Sequence, residues 1–206
     1  MHIDESNSVY LSRIRTEVYI DMMAKAEIQV AEIYANGHTG LCYWPAKTGK
    51  MHGNLKGTDL FGSLVSLCKD RSLQVVGYYS VIFNNWAYDT HPAWRMIDAD
   101  GGTSRDPGKK PNFTNRYGLC CPNSEEYREF VRSQLEEIVT RYPVDGMFID
   151  MTFWPTICYC DNCRRKYQKA VGHEPPKIID WSDESWRIFH SLRSDWMVDF
   201  ARMISS

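Results

Sequence analysis

The chain has 206 residues, with 24 Lys+Arg against 26 Asp+Glu, a formal charge of −2, 43% hydrophobic and 13% aromatic residues. That is enough chain for one packed domain, and the near-balanced charge gives no electrostatic reason to expect a nucleic-acid or acidic-membrane partner, either of which needs a basic excess. The longest apolar runs, such as residues 73–83, are broken by Gln and Tyr and fall well short of the roughly 20 residues a membrane helix requires.

In chain order, the N-terminus reads Met1-His2-Ile3-Asp4-Glu5, polar and acidic where an export leader would be basic and then apolar, so the expected compartment is the cytoplasm. Short apolar runs over residues 1–4, 29–35, 73–80 and 146–150 predict strands. Each is expected to be buried on both faces, because Val30, Ile33, Val75, Val76, Phe148 and Ile149 do not alternate cleanly with polar residues. Residues 59–69 predict a helix whose stripe is Leu60, Phe61, Leu64, Val65 and Cys68, with Thr58 as N-cap. Residues 82–122 form a long Gly-, Pro-, Asp- and Asn-rich stretch, of the length that usually carries function. Ser124 predicts the cap of a second helix, with Glu125 and Glu126 in its first turn and Tyr127, Phe130, Val131, Leu135, Ile138 and Val139 on its buried face. A last helix is predicted from Ser182 through Trp186, Phe189, Trp196 and Phe200 to the C-terminus. Strands alternating with helices define a parallel α/β protein, and no repeat or linker divides the chain into two domains.

The seven cysteines fall into two groups. Cys42 and Cys68 stand alone, and a thiol on an apolar helical stripe behaves as a small hydrophobe. Cys158-Tyr159-Cys160-Asp161-Asn162-Cys163, with Cys120-Cys121 upstream, is different: three thiolates at C-x-C-x-x-C spacing can converge on one tetrahedral cation, with a fourth ligand from elsewhere. Disulfides, an iron–sulfur cluster and unrelated buried thiols compete with zinc, although disulfides need an oxidising compartment. If the ion is zinc, four sulfurs leave no open position for water, and its role is structural.

Cys121-Pro122-Asn123-Ser124 followed by Tyr127-Arg128-Glu129, and then Cys158-x-Cys160-x-x-Cys163-Arg164-Arg165, resembles the zinc cluster of the glycoside hydrolase family 42 β-galactosidases. The resemblance implies that Cys121, and not Cys120, is the fourth ligand. A resemblance covering nearly the whole chain rests on five ordered motifs: residues 35–40 (Ala-Asn-Gly-His-Thr-Gly), 43–49 (Tyr-Trp-Pro-Ala-Lys-Thr-Gly), 59–62 (Asp-Leu-Phe-Gly), 91–95 (His-Pro-Ala-Trp-Arg) and 145–150 (Asp-Gly-Met-Phe-Ile-Asp). These are similar to the hypothetical glycosyl hydrolase family 6, a group of TIM-barrel proteins described as α-L-fucosidase-like or β-galactosidase-like. One departure matters. In family 42 the strand before the cysteine triplet ends in Asp-Asn-Glu, with Glu as general acid/base; here it reads Asp150-Met151-Thr152. In the family 29 α-L-fucosidases the corresponding strand ends in the nucleophilic Asp, and Asp150 is similar to that arrangement.

In a parallel barrel the polar residues at the C-terminal strand ends build the active site. Here they are His2 and Asp4, then Asn36 and His38, then Tyr79, Ser80, Asn84 and Asn85, then Asp150. A carboxylate after Met-Phe-Ile on a buried strand is costly unless it is paired or faces a cleft. Aromatic faces complete a sugar site, and Tyr43, Trp44, Tyr79, Trp86 and Trp154 fall in or beside the predicted top loops, whereas Trp181, Trp186 and Trp196 have helix spacing and belong to a core. The expected protein is therefore a glycosidase acting on a carbohydrate substrate, with Asp150 catalytic, Asn36, His38, Tyr79, Trp44, Trp86 and Trp154 binding sugar, and zinc on Cys121, Cys158, Cys160 and Cys163. A non-catalytic carbohydrate-binding relative is the alternative. Only four strand–helix units can be counted, where a (β/α)8 barrel takes about 250 residues. The chain then reads as the first half of a barrel, whose unpaired edges would lead it to form homo-oligomers or to aggregate if it stood alone.

Overall fold

A computed structural model describes residues 11–108 and 116–206. The predicted strand at residues 1–4, with His2 and Asp4, lies outside the described residues, as does the glycosylation-type sequon Asn112-Phe113-Thr114. Two compact units share the chain: the first takes the described residues up to Val81 together with Ser133–Met151, and the second takes those of Ile82–Arg132 and Thr152–Ser206.

The first unit is built on a parallel sheet in the order β1 (Val30–Tyr34), β4 (Gln74–Ser80), β5 (Gly146–Asp150). A small parallel pair, β2 (Leu41–Cys42) and β3 (Lys50–Met51), stands apart from it. Helices α1 (Thr16–Lys25) and α2 (Leu60–Asp70) belong to this unit, and the predicted α2 stripe is buried as a set. Register settles which side chains share a face. Tyr34 pairs with Tyr78, which pairs with Phe148, while Ser80 pairs with Asp150. By strict alternation, Glu32, Tyr34, Val76, Tyr78, Ser80, Phe148 and Asp150 lie on one face, and Ile33, Val75, Gly77, Tyr79, Met147 and Ile149 on the other. The second face is the one α2 covers: a Cβ on Gly77 would meet the Met147 sulfur at 2.7 Å and the Phe61 ring at 3.5 Å.

The outer strands are not buried on both faces as their apolar composition predicts. β1 alternates between exposed and buried, and Val30 and Phe148 are each 47% exposed. Among the described residues α2 packs on one side of the sheet, and on the other side aromatic residues contact one another. Tyr34 stacks on Tyr78 at 3.9 Å, and Tyr78 on Phe148 at 5.8 Å.

The cap of α2 is Asp59 and not Thr58: its Oδ1 accepts from the Gly62 amide at 2.8 Å, and a carboxylate at this position also favours the positive end of the helix dipole. Its Oδ2 accepts from the Tyr142 hydroxyl at 2.7 Å. Burial, and then this bond to Asp59, raise the Tyr142 pKa. A Cβ on Gly62 would meet both Asp59 Oδ2 and the Tyr142 ring at 2.7 Å, so the Asp-Leu-Phe-Gly motif is a packing and capping device. Asp59→Ala is expected to cost about 2 kcal/mol, roughly 1 for the cap and the rest for a buried hydroxyl left without its acceptor. Urea unfolding would check this, and a loss below about 0.5 kcal/mol would contradict it.

The second unit holds α3 (Asn85–Thr90), α5 (Asp161–Val171) and α6 (Glu184–Ser205), and it shares α4 (Glu125–Arg141) with the first. The long stretch after β4 is partly ordered by α3 and by antiparallel bridges Phe83–Leu119 and Arg95–Cys120. Ser124 caps α4, its Oγ accepting from the Tyr127 amide at 3.4 Å. The predicted α4 stripe is buried except Val139, which is 54% exposed; Gln134 is buried instead, taking the Tyr79 hydroxyl. Asp183, rather than Ser182, caps α6, accepting from Ser185 at 2.8 Å. Trp186, Phe189, Trp196 and Phe200 form its core stripe, but Trp181 precedes the helix and is exposed. Helices α3 and α5 had no predicted counterpart: α3 has only six residues, too few for a helical period, and α5 begins inside the cysteine cluster.

Candidate functional site

At the C-terminal ends of β1, β4 and β5 a polar cluster forms within the first unit. Asn36, fully buried, uses its side chain as an extension of the sheet: Oδ1 accepts from the Ser80 amide at 2.8 Å and Nδ2 donates to the Ser80 carbonyl at 3.5 Å. His38 Nδ1 lies 2.9 Å from Ser80 Oγ. Ser80 is the register partner of Asp150, so Asn36 and His38 fix the strand end next to the carboxylate. Asp150 is half-buried and both its oxygens accept: Oδ2 from the Tyr78 hydroxyl, Oδ1 from the Met151 amide at 2.8 Å. Met151 has φ 61°, a left-handed conformation that costs a non-glycine residue about 1–2 kcal/mol and turns the chain sharply after the carboxylate. The geometry therefore presents a carboxylate fixed by two donors on the sheet face that α2 leaves open.

Not every sugar-site residue expected from the sequence joins this cluster. Tyr79 lies on the opposite face, fully buried, with its hydroxyl donated to Gln134. Trp44 is fully buried and its indole Nε1 has no hydrogen-bond partner. Trp86 and Trp154 belong to the second unit and are half-buried: Trp86 packs on His91 and Phe130, and Trp154 donates Nε1 to the Arg193 carbonyl at 2.7 Å. His91 stacks on Trp94 at 3.7 Å and Arg95 lies over the Tyr88 ring at 4.3 Å, so the His-Pro-Ala-Trp-Arg motif packs the second unit. Tyr78, which sequence reading passed over in favour of Tyr79, is the residue that meets Asp150. Two-residue alternation back from Asp150, carried across by the sheet register, is the signal that finds it.

The second unit contains the cysteine site. Sγ atoms of Cys121, Cys158, Cys160 and Cys163 all lie within 4.8 Å of one another, and all four residues are buried. Cys121 is 3.5 Å from Cys163 and from Cys160, far outside a disulfide bond of about 2.05 Å, and all seven cysteines are free. Tetrahedral zinc at about 2.3 Å from each sulfur would set the sulfurs about 3.8 Å apart, so the four sulfurs could close on one metal ion with a small adjustment. Burial pushes the Cys121 thiol up, while hydrogen bonds from Cys121, Cys158 and Cys163 pull Cys160 far below the usual thiol range. Cys42, Cys68 and Cys120 lie outside the group; burial raises all three, Cys42 to about 12, as expected of inert structural thiols. Cys163 falls within the first turn of α5, which carries Cys160 at its N-cap.

A parallel sheet with a fixed carboxylate at a strand end, in a chain that also holds a four-cysteine group, defines an α/β protein of glycoside hydrolase-like fold. Residues 15–151 match the family described as hypothetical glycosyl hydrolase 6, and the chain belongs to that family. Among curated proteins it is similar to the β-galactosidase LacZ of Heyndrickxia coagulans, 23% identical over 124 residues, covering 56% of this chain and 15% of that protein. Among solved structures it is similar to α-L-fucosidase isoenzyme 2 of Paenibacillus thiaminolyticus, with a TM-score of 0.69 and 24% identity over 93% of this chain and 27% of that one. It is also similar to the glycoside hydrolase domain of PgaB (BpsB) from Bordetella bronchiseptica, with a TM-score of 0.67 and 15% identity over 92% and 54%. The chain thus spans about a quarter of the fucosidase and less of the galactosidase. No helix among the described residues is long and apolar enough to cross a membrane.

Proposed function

We propose that the protein is a glycosidase in which Asp150 is the nucleophile, acting on an α-L-fucoside-like or β-galactoside-like substrate. The observation that carries this reading is the Asp150 carboxylate itself, held by Tyr78 and by the Met151 amide on the sheet face opposite α2. Two donors hold the carboxylate in one orientation, as a nucleophile that must meet the anomeric carbon requires. In the proposed step an Asp150 oxygen bonds to the anomeric carbon as the bond to the leaving oxygen breaks. That oxygen takes a proton from a partner carboxylic acid; water then displaces Asp150 and returns a proton to the partner. In this reading His38 would meet a sugar hydroxyl and Asn36 fixes Ser80 beside the carboxylate.

The family and the share of each relative covered support reading residues 1–206 as part of a (β/α)8 barrel, with the partner carboxylate outside these residues. The four buried, converging cysteines support a structural zinc ion. The longest natural protein carrying this sequence, assayed on a panel of chromogenic α-L-fucosides and β-D-galactosides with parallel calorimetry of the free sugars, tests the reading. Turnover supports it; sugar binding without turnover on any glycoside would instead establish a non-catalytic carbohydrate-binding protein.

A further inference from the structure

A divalent ion on four thiolates carries a net charge of −2, and burying that charge is costly unless the surroundings answer it. The second unit contains such an answer. Asn123 is 1% exposed and touches two of the four cysteines: its amide N–H donates to Cys121 Sγ at 3.4 Å, and its side-chain Nδ2 donates to Cys163 Sγ at 3.3 Å. Behind it, Lys166 Nζ donates to Asn123 Oδ1 at 3.1 Å. An ammonium can only donate, so the carboxamide oxygen must face Lys166 and the NH2 must face the sulfur; the ammonium also polarises the amide and strengthens its N–H···S bond. Lys166 stands three residues after Cys163, on the same helical face.

We propose that Asn123, oriented by Lys166, is a positioning residue for the metal-bearing thiolates, and that Lys166 supplies positive charge to a doubly negative tetrathiolate centre. This rests on the reading of the four cysteines as a metal site. The pair makes the centre inert: thiolates that accept N–H bonds and face fixed positive charge are weaker nucleophiles and hold the ion more tightly.

The test uses the full chain, purified under reducing conditions. Zinc affinity is read by competition with a chromophoric chelator, and the thiolate-to-metal charge-transfer band by cobalt(II) substitution. Asn123→Asp, which sets an oxygen against Cys163, is expected to weaken zinc binding about 10-fold to 100-fold and to move the charge-transfer band to lower energy. Lys166→Met, at a half-buried position, should move both readouts the same way by less, and Lys166→Arg should restore them. Wild-type protein that binds one equivalent of zinc, with affinity and band position unchanged in both Asn123→Asp and Lys166→Met, would overturn the proposal alone. Wild-type protein that binds less than half an equivalent would overturn the metal reading and this proposal together.

Discussion

Asp150→Asn is expected to reduce hydrolysis of any aryl glycoside the wild-type protein accepts by at least about 10⁴-fold, the scale on which removing one member of a catalytic unit acts. The substitution is nearly isosteric. A carboxamide oxygen still accepts from Tyr78 or from the Met151 amide, so the strand end should hold its shape and the loss should fall on kcat, with circular dichroism and unfolding midpoint little changed. Tyr78→Phe removes one charge-assisted bond to the same carboxylate, about 1.5–3 kcal/mol, and should lower kcat by roughly tenfold to a hundredfold. The two effects come from one unit and should not add. Wild-type turnover in Asp150→Asn would remove Asp150 from the chemistry.

The second large effect is on stability. The four cysteines tie the turn before α4, the segment entering α5 and the first turn of α5 to one point. With free zinc 1,000-fold above its Kd, binding to the folded state alone adds about 4 kcal/mol. For a chain of this size that corresponds to roughly 10 °C in Tm. A strong chelator under reducing conditions should therefore lower Tm by about that amount, and zinc should restore it. Cys160→Ser should show the lower Tm with or without chelator. A Tm that chelation leaves unmoved would show that the cysteines pack without a metal.

How far these sites were legible depended on the range of the interactions. Asp150 was readable because its cost is local: a carboxylate ending an apolar strand demands an explanation from four residues of context. The cysteine triplet was readable for the same reason, since its ligands lie within six residues and only Cys121 had to come from a distance. The helix stripes of α2, α4 and α6 were visible in their 3.6-residue period, and they failed at Val139 and Trp181, where the pattern ran past what the neighbouring elements cover. Tyr78 and Tyr79 are adjacent, and composition alone does not separate them; only the register that sets Ser80 beside Asp150 shows which tyrosine faces the carboxylate. Asn36 read as a sugar ligand because polar residues at strand ends usually face the cleft, yet its side chain satisfies the backbone of Ser80. Asn123 and Lys166 gave no signal beyond a polar residue in a family motif and an ordinary helix cation. Their roles come from tertiary placement around the sulfurs.

The most direct test of Asp150 as nucleophile is covalent trapping. Incubation of the longest natural protein carrying this sequence with 2-deoxy-2-fluoro glycosyl fluorides slows release of a glycosyl ester more than its formation, and mass spectrometry of a tryptic digest locates the sugar. The tryptic peptide of residues 142–164, bounded by Arg141 and Arg164, contains Asp150. The account predicts one glycosyl unit on that peptide, at Asp150, and none after Asp150→Asn. A stable label on a different carboxylate, with that peptide unmodified, would contradict it.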